Sequence, residues 1–182
     1  MKNLFKLTTL IIAVVLFTFS SCKKEEQIIE GCTDSSAMNY LSNATSDDGS
    51  CEYAYDIAQG VWNIFSECED LTISIPLVGD FDIPLTDMFP ETIEISGKGN
   101  NVVSLDINGN DVMADVSNNG NVTIQDGQKI SFDTGVIGEV DVDITGSGKI
   151  ASATNGDLSL TLSFEIPLAG AQSSTCDITF SR

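Results

Sequence analysis

The chain has 182 residues, with 27 Asp or Glu, 8 Lys or Arg and no His, so its formal net charge is −19. A surface this acidic repels nucleic-acid phosphates and anionic lipid headgroups, which excludes a nucleic-acid partner. Because histidine is absent, an imidazole-ligated zinc site and Ser/His or Cys/His catalysis are excluded as well. A carboxylate pair could act as in a glycosidase, but nothing singles out two of the 27 acids. We therefore expect a protein that is not an enzyme.

Residues 1–21 predict a secretory signal peptide. A short basic end is followed by an apolar run over 7–19, which is shorter than the about 20 apolar residues of a membrane-spanning helix. The run ends in Phe19-Ser20-Ser21-Cys22, which resembles the lipobox of bacterial lipoproteins. This resemblance implies cleavage before Cys22 and a diacylglycerol thioether on its sulfur. The alternative is an uncleaved N-terminal anchor.

Residues 22–30 are predicted to form an acylated tether. Cleavage of the signal removes two lysines and takes the formal charge from −19 to −21. Lys23-Lys24-Glu25-Glu26 resembles the export tag of surface-exposed lipoproteins in Bacteroidota-type bacteria, although a solvated spacer has the same composition. The resemblance implies a protein that is lipid-anchored to the bacterial outer membrane through Cys22 and displayed at the cell surface.

The next segment, residues 31–53, reads GCTDSSAMNYLSNATSDDGSCEY. It resembles a short G-C-T-D…D-D-G-S-C repeat of secreted and surface proteins in Bacteroidota-type bacteria. Its side-chain oxygens offer a possible Ca²⁺ site, since Ca²⁺ takes six to eight oxygen ligands. The alternative is a disulfide-closed spacer that binds no cofactor and lifts the following domain off the membrane. The candidate calcium ligands are Asp34, Asn39, Asp47 and Asp48.

Four cysteines remain once Cys22 is assigned to the lipid, and four cysteines allow three pairings. The simplest pairing joins Cys32 to Cys51 and Cys68 to Cys176, because each bond then lies within one module. An oxidising compartment beyond the inner membrane permits both bonds.

From 54 to 182 the sequence alternates apolar and polar residues, which is typical of half-buried antiparallel strands. Asn-Gly or Asp-Gly pairs at 108, 119, 126 and 155 predict tight hairpin turns between these runs. We expect an all-β domain: an antiparallel meander of about eight strands, without helices, closed into a barrel. The alternative is a β-sandwich.

The first predicted strand, 60–68, places Cys68 on the same face as Trp62, and Cys176 lies on the apolar face of the last strand. A bond between them favours closure of the barrel. Gly60-Val61-Trp62 resembles the G-x-W signature of lipocalin-like barrels. The resemblance implies that Trp62 plugs the closed end with Arg182 packed over it, and that the barrel holds a small apolar ligand.

An apolar segment at 75–90 carries three prolines, of which Pro76 and Pro84, together with a glycine, disfavour regular pairing. In a lipocalin-like barrel this position belongs to a loop over the open mouth, which makes Leu77, Phe81, Met88 and Phe89 candidates for the ligand mouth. The alternative is a poorly formed hairpin packed on the core. Two functions follow: a binding protein for a small apolar ligand, or a structural or protein-interaction module with a filled core. A ligand cavity of about 300 Å³ or more would distinguish them.

Overall fold

The computed structural model describes residues 27–77, 79–133, 138–166 and 169–182. The predicted signal peptide, Cys22 and the export-tag motif lie outside the described residues. Within these ranges, no helix has both the length and the apolar character needed to cross a bilayer.

In the described residues the chain forms one short α-helix, one 3₁₀ helix and eleven strands. The helix α1 (Ala54–Ala58) comes first, and a 3₁₀ helix (Leu85–Met88) lies between β3 and β4. The strands are β1 (Gly60–Cys68), β2 (Leu71–Ile75), β3 (Gly79–Ile83), β4 (Thr92–Gly99), β5 (Val102–Ile107), β6 (Asn110–Val116), β7 (Asn121–Ile124), β8 (Gln128–Asp133), β9 (Glu139–Ile150), β10 (Asn155–Ile166) and β11 (Gly170–Ser181).

Eight of these strands close into an antiparallel barrel in the order β1-β4-β5-β6-β7-β9-β10-β11. Closure occurs at β1, which pairs with β11 on one side and with β4 on the other. The predicted all-β barrel is confirmed, and the sandwich alternative is wrong. The predicted first strand has the observed bounds of β1.

The ninth strand of the main sheet, β8, is not one of the eight strands that close the barrel. Both β7 and β8 pair antiparallel with β9, so they run in the same direction along its edge. Thr123 lies opposite Ser147 and Gln128 lies opposite Ile144, which leaves two extra residues on the β7–β8 side. β7 and β8 therefore occupy the same position beside β9, and Asp126-Gly127 lies in the short irregular segment that joins them. The predicted hairpin turn at this pair is wrong.

Another predicted turn, at Asn155-Gly156, is also wrong, because these residues begin β10 opposite Ser181 and Phe180 of β11. Gly156 is used for close packing: a Cβ there would lie 3.2 Å from the side chains of Ile150 and Phe180. The Asn108-Gly109 turn is as predicted, since both residues have positive φ, at 52° and 82°.

The absence of helices was predicted wrongly, because one turn is too short to show a 3.6-residue period. In α1 the buried residues are Ala54 and Ala58, which join the barrel core. Inward-facing side chains from all eight barrel strands fill this core. Six of them are completely buried: Trp62, Val112, Ala114, Ile144, Leu162 and Cys176.

Both predicted disulfides are present, Cys32–Cys51 and Cys68–Cys176. The second links directly opposed residues of β1 and β11 at the closure of the barrel.

The cysteine module contacts the barrel directly. Its Met38 packs against the barrel core, and a Cβ on Gly120 would come within 3.3 Å of the Met38 Cε. Glu30, which was predicted to belong to the tether, forms a β-bridge with Ser46. The module is therefore docked on the closed end of the barrel at the β6–β7 turn.

Candidate functional sites

The closed end of the barrel is built around Trp62, the only tryptophan in the chain. Its side chain is fully buried and its indole Nε1 donates a hydrogen bond of 2.7 Å to the carbonyl of Ala58. The Phe180 ring packs edge-on against it, with the centroids 6.1 Å apart. Since α1 ends at Ala58, this hydrogen bond from Trp62 holds the helix against the closed end of the barrel.

Arg182 lies over this tryptophan, where the lipocalin-like resemblance would place it. The guanidinium carbon is 3.8 Å from the Trp62 ring centroid. One guanidinium nitrogen donates to the carbonyls of Ile57, at 3.0 Å, and Gln59, at 2.6 Å. Burial lowers the pKa of Arg182. The cation thus satisfies carbonyls at the end of α1 and covers the ring.

At the opposite end, the segment predicted to form a loop over the open mouth is a hairpin. Leu71 pairs with Ile83 and Ile75 with Gly79, and this two-stranded sheet is separate from the barrel sheet. Pro76 lies in the turn and Pro84 follows β3, so neither proline interrupts the pairing. The expectation of irregular backbone is wrong. The alternative, a poorly formed hairpin packed on the core, is right about the hairpin and its packing but wrong about its pairing, which is regular.

The four mouth candidates differ in environment. Leu77 is fully exposed at the hairpin tip, with a positive φ of 71°. Phe81 is half-buried opposite Ile73. Met88 and Phe89 pack against the barrel core, and the Phe89 ring meets Phe132 at a centroid distance of 5.7 Å. The four residues therefore do not form one rim.

In the part of the chain that the structure describes, side chains fill the barrel interior. A void of about 10 Å³ lies in the middle, lined by residues that include Ile64, Phe89 and Leu105. A second void, also about 10 Å³, lies under the hairpin between Ile83, Leu85 and the barrel wall. Each is about the size of one water molecule at most and has an apolar lining.

The candidate calcium ligands in the cysteine module serve local turns. Asp47 and Asp48 accept hydrogen bonds from the backbone amides of Gly49 and Ser50, at 3.0 and 2.9 Å. Asn39 donates to the carbonyl of Ser50 at 2.6 Å and accepts from the amide of Glu52 at 2.9 Å. These bonds close the loop next to Cys51.

Asp34 joins the two ends of the module. Its Oδ1 accepts the amide of Ser36 at 2.8 Å and its Oδ2 accepts the Tyr53 hydroxyl at 2.8 Å. The Ser36 amide and the Tyr53 hydroxyl hold the pKa of Asp34 below its ordinary value, and the same carboxylate raises the pKa of Tyr53. The described residues contain no cluster of three or more His, Cys, Asp or Glu suited to a metal. Calcium binding stays a prediction.

Two surface grooves were not predicted. One, of about 390 Å³, lies between the cysteine module and the barrel beside Ser36, Asn119 and Lys149. The other, of about 640 Å³, lies between the ends of β9 and β10 and includes Glu139 and Glu165. Among 27 acidic residues the sequence pattern does not distinguish these two, because only the strand register brings them together.

Comparison of the chain with protein-family models, with curated proteins and with solved structures found no match in any of the three.

Proposed function

We propose that this chain is a lipid-anchored, non-catalytic interaction module whose barrel is a solid scaffold and whose partner binds to the outside. Support comes from one observation above all: in the described part of the chain, the two voids inside the barrel measure about 10 Å³ each. Pockets that hold drug-sized ligands measure about 300–1,000 Å³. The interior would have to repack extensively before it could accept a ligand of that size.

The alternative, a binding protein for a small apolar molecule, requires the hairpin to leave the barrel. Ile83 and Leu85 are buried against the wall at that end, at 3% and 4% exposure. Each buried side chain of this kind contributes about 1.5–3 kcal/mol relative to its exposed state. Opening would therefore cost several kcal/mol before any ligand was bound, which favours the filled scaffold.

A fluorescent fatty-acid analogue tests this choice. We expect no saturable fluorescence increase when the mature protein is titrated with the analogue, because the folded barrel has no room for its chain. An Ile83→Ala, Leu85→Ala variant provides a control in which space has been created under the hairpin. Stoichiometric binding by the unmodified protein, displaced by unlabelled fatty acid, would instead establish the ligand-binding function.

Membrane attachment is proposed from the lipobox-like motif at Cys22. Acyl chains contribute about 0.8 kcal/mol per buried methylene, and stable anchoring needs more than one chain. In cells fed labelled palmitate, we expect the mature protein to carry the label and Cys22→Ala to remain an unlabelled precursor. Ser21→Ala, which keeps a small residue before the cysteine, serves as the matched control and should be labelled. An unlabelled native protein would contradict lipidation.

A further inference from the structure

The groove between β9 and β10 arises where these two neighbouring barrel strands separate. The ladder that joins them ends at the pair Asp143–Ser163. Beyond that pair β9 continues to Glu139 and β10 continues to Ile166. In the described part of the chain no ladder joins 139–142 to 164–166, although β9 remains paired with β8 and β10 with β11 on their outer sides.

This separation creates an open groove of about 640 Å³ in the barrel wall. Val140 and Phe164 contribute to its apolar floor; both also line the small void under the hairpin. Each strand end presents one edge to the groove. An edge of three or four residues spans about 10–13 Å at 3.3 Å per residue, which matches a short extended peptide.

The rim of the groove is acidic. Among the described residues, four carboxylates line it together with one cation, Lys129, whose Nζ forms an ion pair with Asp143 at 2.9 Å. Asp141 accepts a hydrogen bond from the Ser131 hydroxyl at 2.5 Å. Glu139 and Glu165 are exposed on the two strand ends that separate. An occupant of this groove would meet strand edges that no ladder between described residues pairs, an apolar floor and excess negative charge.

We propose that the groove binds an extended segment of a partner protein that carries lysine or arginine at alternate positions. The segment would pair with the open edge of β9 or β10 through its backbone, as in strand addition to other sheets. Its apolar residues would face Val140 and Phe164, while its basic residues would face the carboxylates of Glu139 and Glu165. This inference rests on the proposed interaction-module function and names the kind of partner for it.

The test uses the mature chain with Cys22→Ala and a fluorescein-labelled hexapeptide that alternates lysine and valine. We expect saturable binding that weakens with added salt, and slower amide hydrogen exchange at 139–142 or 164–166 when the peptide is bound. A hexapeptide that alternates glutamate and valine should not bind. The lysine peptide with alternate amides N-methylated should bind at least tenfold more weakly, since it cannot pair with a strand edge.

Paired variants separate the groove from general charge attraction. Glu139→Gln with Glu165→Gln should weaken binding by about three- to tenfold, as expected for two rim charges. Glu67→Gln with Asp177→Asn removes the same charge from opposed residues of β1 and β11 and should change the affinity less than about twofold. Equal effects of the two double variants, or equal binding of the N-methylated peptide, would overturn the proposal.

Sedimentation of the protein without peptide measures its oligomeric state and so tests whether a second copy of the chain occupies the groove. If the protein self-associates and the groove variants abolish this, the partner is the chain itself and our assignment is wrong. A monomer that binds the lysine peptide supports the assignment. If the peptide tests fail, the result of the fatty-acid titration still stands. The proposal of peptide binding in the groove and the proposal of a solid scaffold can therefore be contradicted independently of each other.

Discussion

At the scale of single residues, the hydrogen bond between Asp34 and Tyr53 has a defined pH range. Because the pKa of Asp34 is lowered, its contribution to stability is present above the ordinary value of 3.8 and is lost as the pH falls through the folded-state pKa. Because the pKa of Tyr53 is raised, its contribution is complete below 10.0 and is lost as the pH rises through the folded-state value. The pair therefore stabilises the cysteine module between these limits.

Tyr53→Phe should raise the pKa of Asp34. The shift should be partial, because the amide of Ser36, the larger cause, stays in place. The carboxyl carbon signal of Asp34, followed by NMR through an acid titration, measures this change. Tyr40→Phe is a matched control, since Tyr40 is an exposed tyrosine of the same module. Identical Asp34 midpoints in the Tyr53 variant and the native protein would show that the hydrogen bond does not form in solution.

Some residues could be placed from the sequence because a strand has a fixed period of two. Parity alone puts Trp62 and Cys68 on one face of β1 and Cys176 on the inner face of β11, and the observed Cys68–Cys176 disulfide agrees with that placement. Glu139 and Glu165 could not be found in this way. Their position depends on where the β9–β10 ladder stops, and no local signal in an alternating strand marks that point.

At the scale of elements, the hairpin β2–β3 shows why prolines misled the sequence interpretation. Proline disrupts a strand only where its missing N–H belongs to a ladder. Pro76 and Pro84 stand just beyond the two strands, so the pairing between Leu71 and Ile83 is intact. The one-sided burial of Ile73 and Ile83 then fastens the hairpin to the barrel.

Truncations along this hairpin should follow burial. Ile83→Ala should lower the free energy of unfolding by about 2–4 kcal/mol, since it leaves a cavity in the core. Leu77→Ala, at the fully exposed tip, should change it by less than about 0.5 kcal/mol. Phe81→Ala should fall between these values. Denaturant unfolding followed by the fluorescence of the single, buried Trp62 measures all three. Equal and small effects at all three positions would mean that the hairpin is not packed on the barrel in solution.

At the scale of the whole molecule, folding brings like charges together. In the described strands of the main sheet four pairs of carboxylates face each other directly: Glu67–Asp177, Glu94–Asp106, Asp106–Asp111 and Asp133–Glu139. Directly opposed like charges destabilise a sheet, and a high net charge adds long-range repulsion in the compact state. The filled core and the two disulfides offset this repulsion. Because salt screens the repulsion between carboxylates, the stability of the protein should depend on the salt concentration.

Glu67→Lys tests the repulsion at one pair. The substitution turns the contact with Asp177 from repulsive to attractive, which should contribute about 0.2–1 kcal/mol. For a domain of this size that corresponds to a rise in melting temperature of about 1–3 °C at low salt. Glu91→Lys changes the net charge equally at a position outside the strands and should raise the melting temperature less. In 1 M salt, where the Debye length is about 3 Å, both differences should shrink. If the two variants are equally stabilised at low salt, the repulsion is a property of the total charge and not of the opposed pairs.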